Sequence, residues 1–312
     1  MGNQTTVTEF FLLGFSDLPE LQILHFVVFL FIYSTALVGN FLLILTVVQT
    51  QSLHSPMYFF LVNLSLSDAC FITATVPKSM VISWTSSKLI SFSGCVMQVF
   101  LVVTGTSAEL TFLTVMAYDR YVAICHPLQY TVIMNSNACV QMAAASWISS
   151  IINAIIHTAN TFRLPFCTCS IKQFFCDIPQ LLMISCTDTT ANVLLSFVEA
   201  IIVGSFCFFC ILASYGFIFS TVLKIESAQT RSKAFSTCIP HLTVFCLFLS
   251  TAMFSYMRPK SISSVAMDLL AAVLYSVLPP LLNPIIYSLR NKEIQAAMQK
   301  MSKKLFGFCL MT

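Results

Sequence analysis

The sequence predicts an all-α membrane protein, a bundle of seven transmembrane helices followed by a short amphipathic eighth helix. Three observations carry this. First, 57% of the 312 residues are hydrophobic and only 9% are charged, where a soluble domain carries about 25% charged residues. Side chains this poor in charge cannot cover a water-facing surface, and lipid is the solvent that removes the difficulty. Second, apolar segments lie near 24–48, 57–80, 95–122, 139–160, 193–222, 236–258 and 269–289. Each meets the ~20 residues that a membrane-crossing helix needs. Third, these segments and their short connections use nearly the whole length, leaving no room for a separate soluble domain.

Taken in order, residues 1–23 form an extracellular N-terminal segment. It has no basic start and no long apolar run, and Glu9, Asp17 and Glu20 interrupt it, so it does not read as a signal peptide. Gly2 is placed for myristoylation, but the following NQTT suits that modification only loosely. Asn3-Gln4-Thr5 is an N-glycosylation acceptor, usable only on the lumenal side. The seven segments then fill residues 24–289. All are helical by necessity, because an isolated strand in lipid leaves its backbone unpaired. They are too long for the ~10-residue alternating strands of a barrel. Polar residues interrupt the third, fifth and sixth. No internal repeat is present, which removes the support for an inverted-repeat transporter. Residues 290–312 form a cytoplasmic amphipathic helix and tail. There Ile294, Ala297, Met298, Met301 and Leu305 share one face with lysines opposite, the pattern of a helix lying on the inner leaflet. Cys309 near its end is a candidate for palmitoylation.

Lysine and arginine set the orientation. With the N-terminus outside, the inner side carries Arg120, Lys224, Arg231, Lys233, Arg290, Lys292, Lys300, Lys303 and Lys304, nine of the 15 basic residues. The cysteines agree. Of 13, five fall in outer segments: Cys95, Cys167, Cys169, Cys176 and Cys186. That clustering fits disulfides formed in an oxidising compartment. The remaining cysteines, Cys207-x-x-Cys210 among them, read as small apolar packing residues. The net charge of +3 gives no case for nucleic-acid binding. The five histidines, His25, His54, His126, His157 and His241, are scattered without metal-ligand spacing, so neither an enzyme nor a metal cofactor is indicated.

Three acids fall within apolar segments: Asp68, Glu109 and Glu199. An ionised acid at mid-bilayer costs about 2.5–3.5 kcal/mol on insertion scales, so each should face the bundle interior, be paired or be protonated. Glu109 and Arg120 are 11 residues apart on one helix, about three turns and ~16 Å. Asp68 and Glu109, with Asn40 and Asn283, are expected to form a buried polar cluster. It holds a proton or a sodium ion, or is a structural hydrogen-bond network with no ion.

Several strings exceed what periodicity explains. Leu53-His54-Ser55-Pro56-Met57-Tyr58-Phe59-Phe60-Leu61 stands at the first inner turn, and MAYDRYVAICHPLQY, Met116 to Tyr130, at the inner end of the third helix. Ser214-Tyr215 lies on the fifth, and Lys233-Ala234-Phe235-Ser236-Thr237-Cys238 opens the sixth. Pro280-Leu281-Leu282-Asn283-Pro284-Ile285-Ile286-Tyr287 ends the seventh. Together, in order and with the expected spacing, these resemble the olfactory receptor family of rhodopsin-like (class A) G-protein-coupled receptors. The Asp-Arg-Tyr of Asp119, Arg120 and Tyr121 and the Asn-Pro-x-x-Tyr of Asn283, Pro284 and Tyr287 would alone give only the superfamily. The longer strings are more specific.

The resemblance implies an odorant receptor that binds a small volatile molecule in the outer half of the bundle. It would activate a heterotrimeric G protein of the stimulatory olfactory class to raise cyclic AMP at the plasma membrane. Arg120, held by Asp119 at rest, resembles the switch that engages the G protein, a task suited to a fixed charge with five donors. Tyr215 and Tyr287 resemble the tyrosines that swing toward it. Pro284 gives the seventh helix a point to bend, and Lys233 sits where the sixth would move outward. The family pairs the third-helix cysteine with a middle loop cysteine, implying Cys95–Cys176. A further bridge would be Cys167–Cys186, with Cys169 an alternative partner for Cys186. The pocket is expected among Val102, Val103, Thr106, Glu199, Val203, Thr251, Tyr256 and Ser276, mostly apolar with a few placed polar groups. An ionised Glu199 would favour a cationic or hydrogen-bond-donating odorant. Two departures fall on the sixth helix: Leu249 replaces an expected aromatic, and Pro240 precedes His241 and should kink the inner end. A non-olfactory receptor of the superfamily is the nearest alternative, and a transporter a remoter one.

Overall fold

The computed structural model describes residues 7–15, 18–85, 87–256 and 264–309, without the side chains of Lys233, Tyr256 and 301–309. Asn3 and its glycosylation triplet therefore lie outside the described residues, as do the side chains of Lys233, Tyr256 and Cys309.

Among the described residues, seven helices are long and apolar enough to cross a membrane. They run Pro19–Gln49, Pro56–Thr85, Phe92–Cys125, Ser136–Phe162, Thr190–Leu223, Ala228–Tyr256 and Val265–Arg290. Most extend several residues beyond the apolar segments. Apolarity marks only the part in hydrocarbon, whereas the backbone ladder runs on to its caps. Asn135 caps the fourth helix by accepting from the Ala138 N–H, and Ser264 caps the seventh by accepting from Met267. The sixth helix runs unbroken through Pro240. The fifth contains a π-helical stretch, Ala200–Gly204, a local widening of the kind found at functional sites.

The third helix is the hub. It packs against the second, fourth, fifth and sixth, while the seventh closes the ring against the first, second and sixth. Small residues allow close approach: a Cβ on Gly105 would sit 3.0 Å from the Cβ of Phe71. Large apolar side chains cover the outside, among them Phe31, Trp84, Ile202, Phe206 and Phe209. In water such a surface would aggregate; against lipid it is the expected one.

One end of the bundle carries a cap that periodicity did not indicate. Strand β1, Glu9–Leu12, lies between β2, Leu89–Ser91, and β3, Ser170–Ile171, antiparallel to the first and parallel to the second. Phe10 and Leu12 point inward and are almost fully buried. Two disulfides hold this end, Cys95–Cys176 and Cys167–Cys186. Cys169 is free and partly buried, so of the two candidate partners for Cys186 it is Cys167 that bonds. At the opposite end, the helix Lys292–Cys309 packs Ile294 and Ala297 against the main core cluster.

Candidate functional site

Three groups of polar side chains run along the third helix from the disulfide end to the Arg120 end. At the disulfide end the loop segment Phe174–Phe175 inserts into the bundle against Phe71, Val102, Ala272 and Tyr275. Gln98 holds that loop in place, accepting from the Cys176 N–H at 2.8 Å and donating to the Ala74 carbonyl at 2.8 Å. Below it Thr106 meets the Tyr275 hydroxyl at 2.7 Å, a direct link between the third and seventh helices. Thr251 is buried and, among the described residues, bonds only to its own helix, at the Leu247 and Phe248 carbonyls. Ser276 is fully buried, and its hydroxyl has no partner among the described residues. Val103 packs toward the Cys95 cluster.

Two residues expected in the same pocket sit elsewhere. Glu199 pairs with His157 of the fourth helix, and Ser196 lies on the other ring nitrogen at 3.5 Å. Val203, in the π-helical stretch, is 42% exposed on the bundle surface. For Glu199 the physical reason is economy of charge. A carboxylate in lipid seeks the nearest donor, and the adjoining helix supplies an imidazole.

The middle group is a cluster of buried amides and acids. The Asn283 side-chain amide donates to Asp68 Oδ2 at 3.0 Å and to Glu109 Oε1 at 3.1 Å. Asn40 stands beside it rather than in it, donating to the Ala36 and Pro280 carbonyls. Asp68 Oδ1 and Asn283 Oδ1 are buried without partners among the described residues. Two buried carboxylates sharing one amide need a proton or a cation nearby to offset their charge. The unpartnered oxygens are the acceptors such a cation would use. No group of three or more histidine, cysteine, aspartate or glutamate side chains is assembled for a metal ion among the described residues.

At the far end Arg120 is paired with Asp119 of the same helix, its Nε donating to Oδ2 at 2.9 Å. Tyr130, on the short helix Tyr130–Ile133, donates to the other carboxylate oxygen at 2.8 Å. Burial, then the Asp119 charge, raises the Tyr130 phenol well above its ordinary value, so it stays a donor. Tyr215 does not reach Arg120. Its hydroxyl meets His241 Nδ1 at 2.7 Å, and His241 Nε2 meets the Leu113 carbonyl at 2.9 Å. Because a carbonyl only accepts, Nε2 carries the proton and Nδ1 accepts from the tyrosine. Tyr287 is buried with its hydroxyl unpartnered among the described residues. Tyr121 bonds His126 at 2.9 Å. Pro284 packs against the first helix, 3.1 Å from where a Cβ on Gly39 would lie.

Sequence reasoning missed His157, His241, Gln98 and Tyr275 as parts of these groups. The histidines carried a usable signal, since an imidazole within an apolar span needs a partner. Gln98 and Tyr275 carried none, because their partners are distant in sequence. Leu128, in the loop after Arg120, is 96% exposed.

Comparison with known proteins completes the picture. A family model described as olfactory receptor matches residues 29–304. The chain is 52% identical to human olfactory receptor 14C36, with 98% of each chain covered. It is 51% identical to human olfactory receptor 14I1 (98% of this chain, 99% of the relative) and 49% identical to human olfactory receptor 14A16 (97% and 98%).

Proposed function

Since the chain belongs to the olfactory receptor family, whose members are G-protein-coupled receptors and not enzymes, we propose that it detects a small odorant at its disulfide end. The message leaves at its Arg120 end, to a heterotrimeric G protein of the stimulatory olfactory class that raises cyclic AMP. In this reading the disulfide end faces outside the cell and Arg120 the cytosol. Nine basic residues on the Arg120 side and the oxidised cysteines opposite support that orientation.

The observation that carries the reading is the use made of one helix. The third helix presents Val102 and Thr106 to the loop-capped cluster, Glu109 to the buried amide, and Asp119–Arg120 to the opposite surface. From Val102 to Arg120 is about 27 Å at 1.5 Å per residue. A ligand touching one end thus biases the other through a single rigid element. The odorant is bounded by Val102, Thr106, Thr251 and Ser276, with Tyr275 closing the far wall. Its specificity is set by shape and one or two hydroxyls rather than by Glu199, which His157 occupies.

On binding, the sixth helix swings outward near Lys233. Tyr215 leaves His241, the seventh helix bends at Pro284 beside Asn283, and Tyr287 turns toward Arg120. Arg120 leaves Asp119 and, flanked by Tyr121, meets the G protein. The buried Asp68–Asn283–Glu109 group holds a proton or a sodium ion in the resting state. The test is ligand-stimulated cyclic AMP in cells carrying the stimulatory olfactory G protein, screened with a chemically diverse odorant panel. Tags on both termini check the orientation. A cytosolic N-terminus, or agonists that act equally well on Arg120→Ala, would overturn the proposal.

A further inference from the structure

The Pro56–Leu61 string was singled out in the sequence but has no part in the mechanism above. Its tyrosine, Tyr58, is 5% exposed and belongs to the core cluster that also contains Tyr287, Ile294 and Ala297. Its hydroxyl donates to Glu293 Oε2 at 2.8 Å and accepts from Asn291 Nδ2 at 3.0 Å. A phenol has one hydrogen to give, and the carboxylate is the closer and stronger acceptor.

Asn291 is the joint between the seventh helix and the amphipathic helix. Its N–H bonds to the Tyr287 carbonyl at 3.1 Å, ending the seventh helix. Its side-chain oxygen accepts from the Glu293 and Ile294 N–H groups at 3.0 and 3.2 Å, capping the first turn of the amphipathic helix. Glu293 is the sole acid in Lys292–Cys309, a helix with four lysines. It is bonded to Tyr58. One hydroxyl on the second helix thus holds both sides of the bend.

We propose that Tyr58 is a positioning residue, a bolt that fixes the amphipathic helix at the end of the seventh helix and restrains the receptor in its resting state. The restraint follows from the chain itself. Tyr287 lies one turn before Asn291 and is bonded to it through the backbone, so a swing of Tyr287 carries Asn291 with it. That movement draws the Asn291 amide and Glu293 away from an oxygen anchored on a different helix. The proposal rests on the signalling role above for its consequence, though not for its geometry.

The test uses the full-length receptor. Tyr58→Phe keeps the ring and removes only the oxygen. Loss of a net hydrogen bond of ~1 kcal/mol predicts about fivefold faster hydrogen exchange of the 294–300 amides. It also predicts a rise in ligand-free cyclic AMP at equal surface expression. Glu293→Gln still offers an oxygen to the phenol and should stay nearer the wild type on both measures. Exchange rates in Tyr58→Phe equal to the wild type overturn the bolt, and faster exchange with unchanged basal signalling overturns the restraint. If the wild-type chain signals through no G protein, the function proposed above fails, and the exchange rates then decide the bolt alone.

Discussion

At the scale of single residues, charge in the wrong solvent does most of the deciding. Glu199 reads from the sequence as a pocket acid, yet the fourth helix offers His157 within reach and the pair closes at the bundle surface. Glu199→Gln should therefore leave odorant half-maximal concentrations within about twofold of wild type. The Glu199–His157 coupling in a double-mutant cycle on thermal unfolding should be near 0.6 kcal/mol, the usual size for polar pairs within membranes. A large shift in agonist response would return Glu199 to the pocket. Asp177, in the loop beyond Cys176, makes the complementary case. Burial of its carboxyl pushes it up to about 7, against a hydrogen bond from the Ile178 N–H that pulls the other way. The folded loop thus binds the proton more tightly than the unfolded chain does. The stability this contributes is complete below the ordinary aspartate value of ~3.9, falls as pH rises from there to 7, and is flat above. Hydrogen exchange across 170–185 should quicken over that interval, and Asp177→Asn should abolish the dependence. Asp188 shows the opposite sense, held low by the Thr190 hydroxyl and N–H.

At the scale of elements, the seven spans were legible because lipid imposes one rule on all of them: a long apolar run must be a helix. The helix ends were less so. Hydropathy stops where headgroups begin, whereas Ser264 and Asn135 set the true starts of two helices. The sheet at the disulfide end was not legible at all. β1 spans only four residues, and its partners come from loops some 80 and 160 positions away. The alternation of Phe10 and Leu12 was its single trace. The strand's weight can be measured. Phe10 is fully buried and packs edge-on against Phe166 at 5.3 Å. Phe10→Ala should then cost about 3 kcal/mol, the lower part of the range for a buried phenylalanine. That loss should appear as lower thermal stability of the purified receptor with Cys95–Cys176 intact. A change below about 1 kcal/mol would mean that the strand merely rests on the bundle.

At the scale of the whole molecule, the sites differ in legibility for the same reason. Asp119, Arg120, Asn283 and Tyr287 sit in contiguous strings and could be named from the sequence. The contacts that join helices could not, because no local pattern records that Tyr215 meets His241 or that Thr106 meets Tyr275. The joining contact that brings the most helices together is the Asn283 amide, because it ties the second, third and seventh helices at one point. Its two hydrogens go to two acids, so each acid depends on the same donor and the three residues act as a unit. Asp68→Asn or Glu109→Gln removes one charge and leaves the other acid bonded. Each should change ligand-free cyclic AMP at normal surface expression. Asn283→Ala withdraws both donors and leaves two buried carboxylates facing each other. Leaving a buried acceptor without its donor costs about 1–3 kcal/mol, and more for a charged one, so this variant should be the least stable of the three and reach the surface poorly. Asn283→Ala combined with Glu109→Gln should recover part of that loss, since one of the two stranded charges is gone. Replacing sodium by potassium then separates the two cations. If sodium occupies the cluster, the exchange raises basal signalling in the wild type and not in Asp68→Asn; if a proton does, pH moves both and sodium neither. Basal and evoked signalling unchanged in both acid variants, with normal surface expression, would reduce the cluster to packing and leave the coupling of the three helices to the apolar core alone.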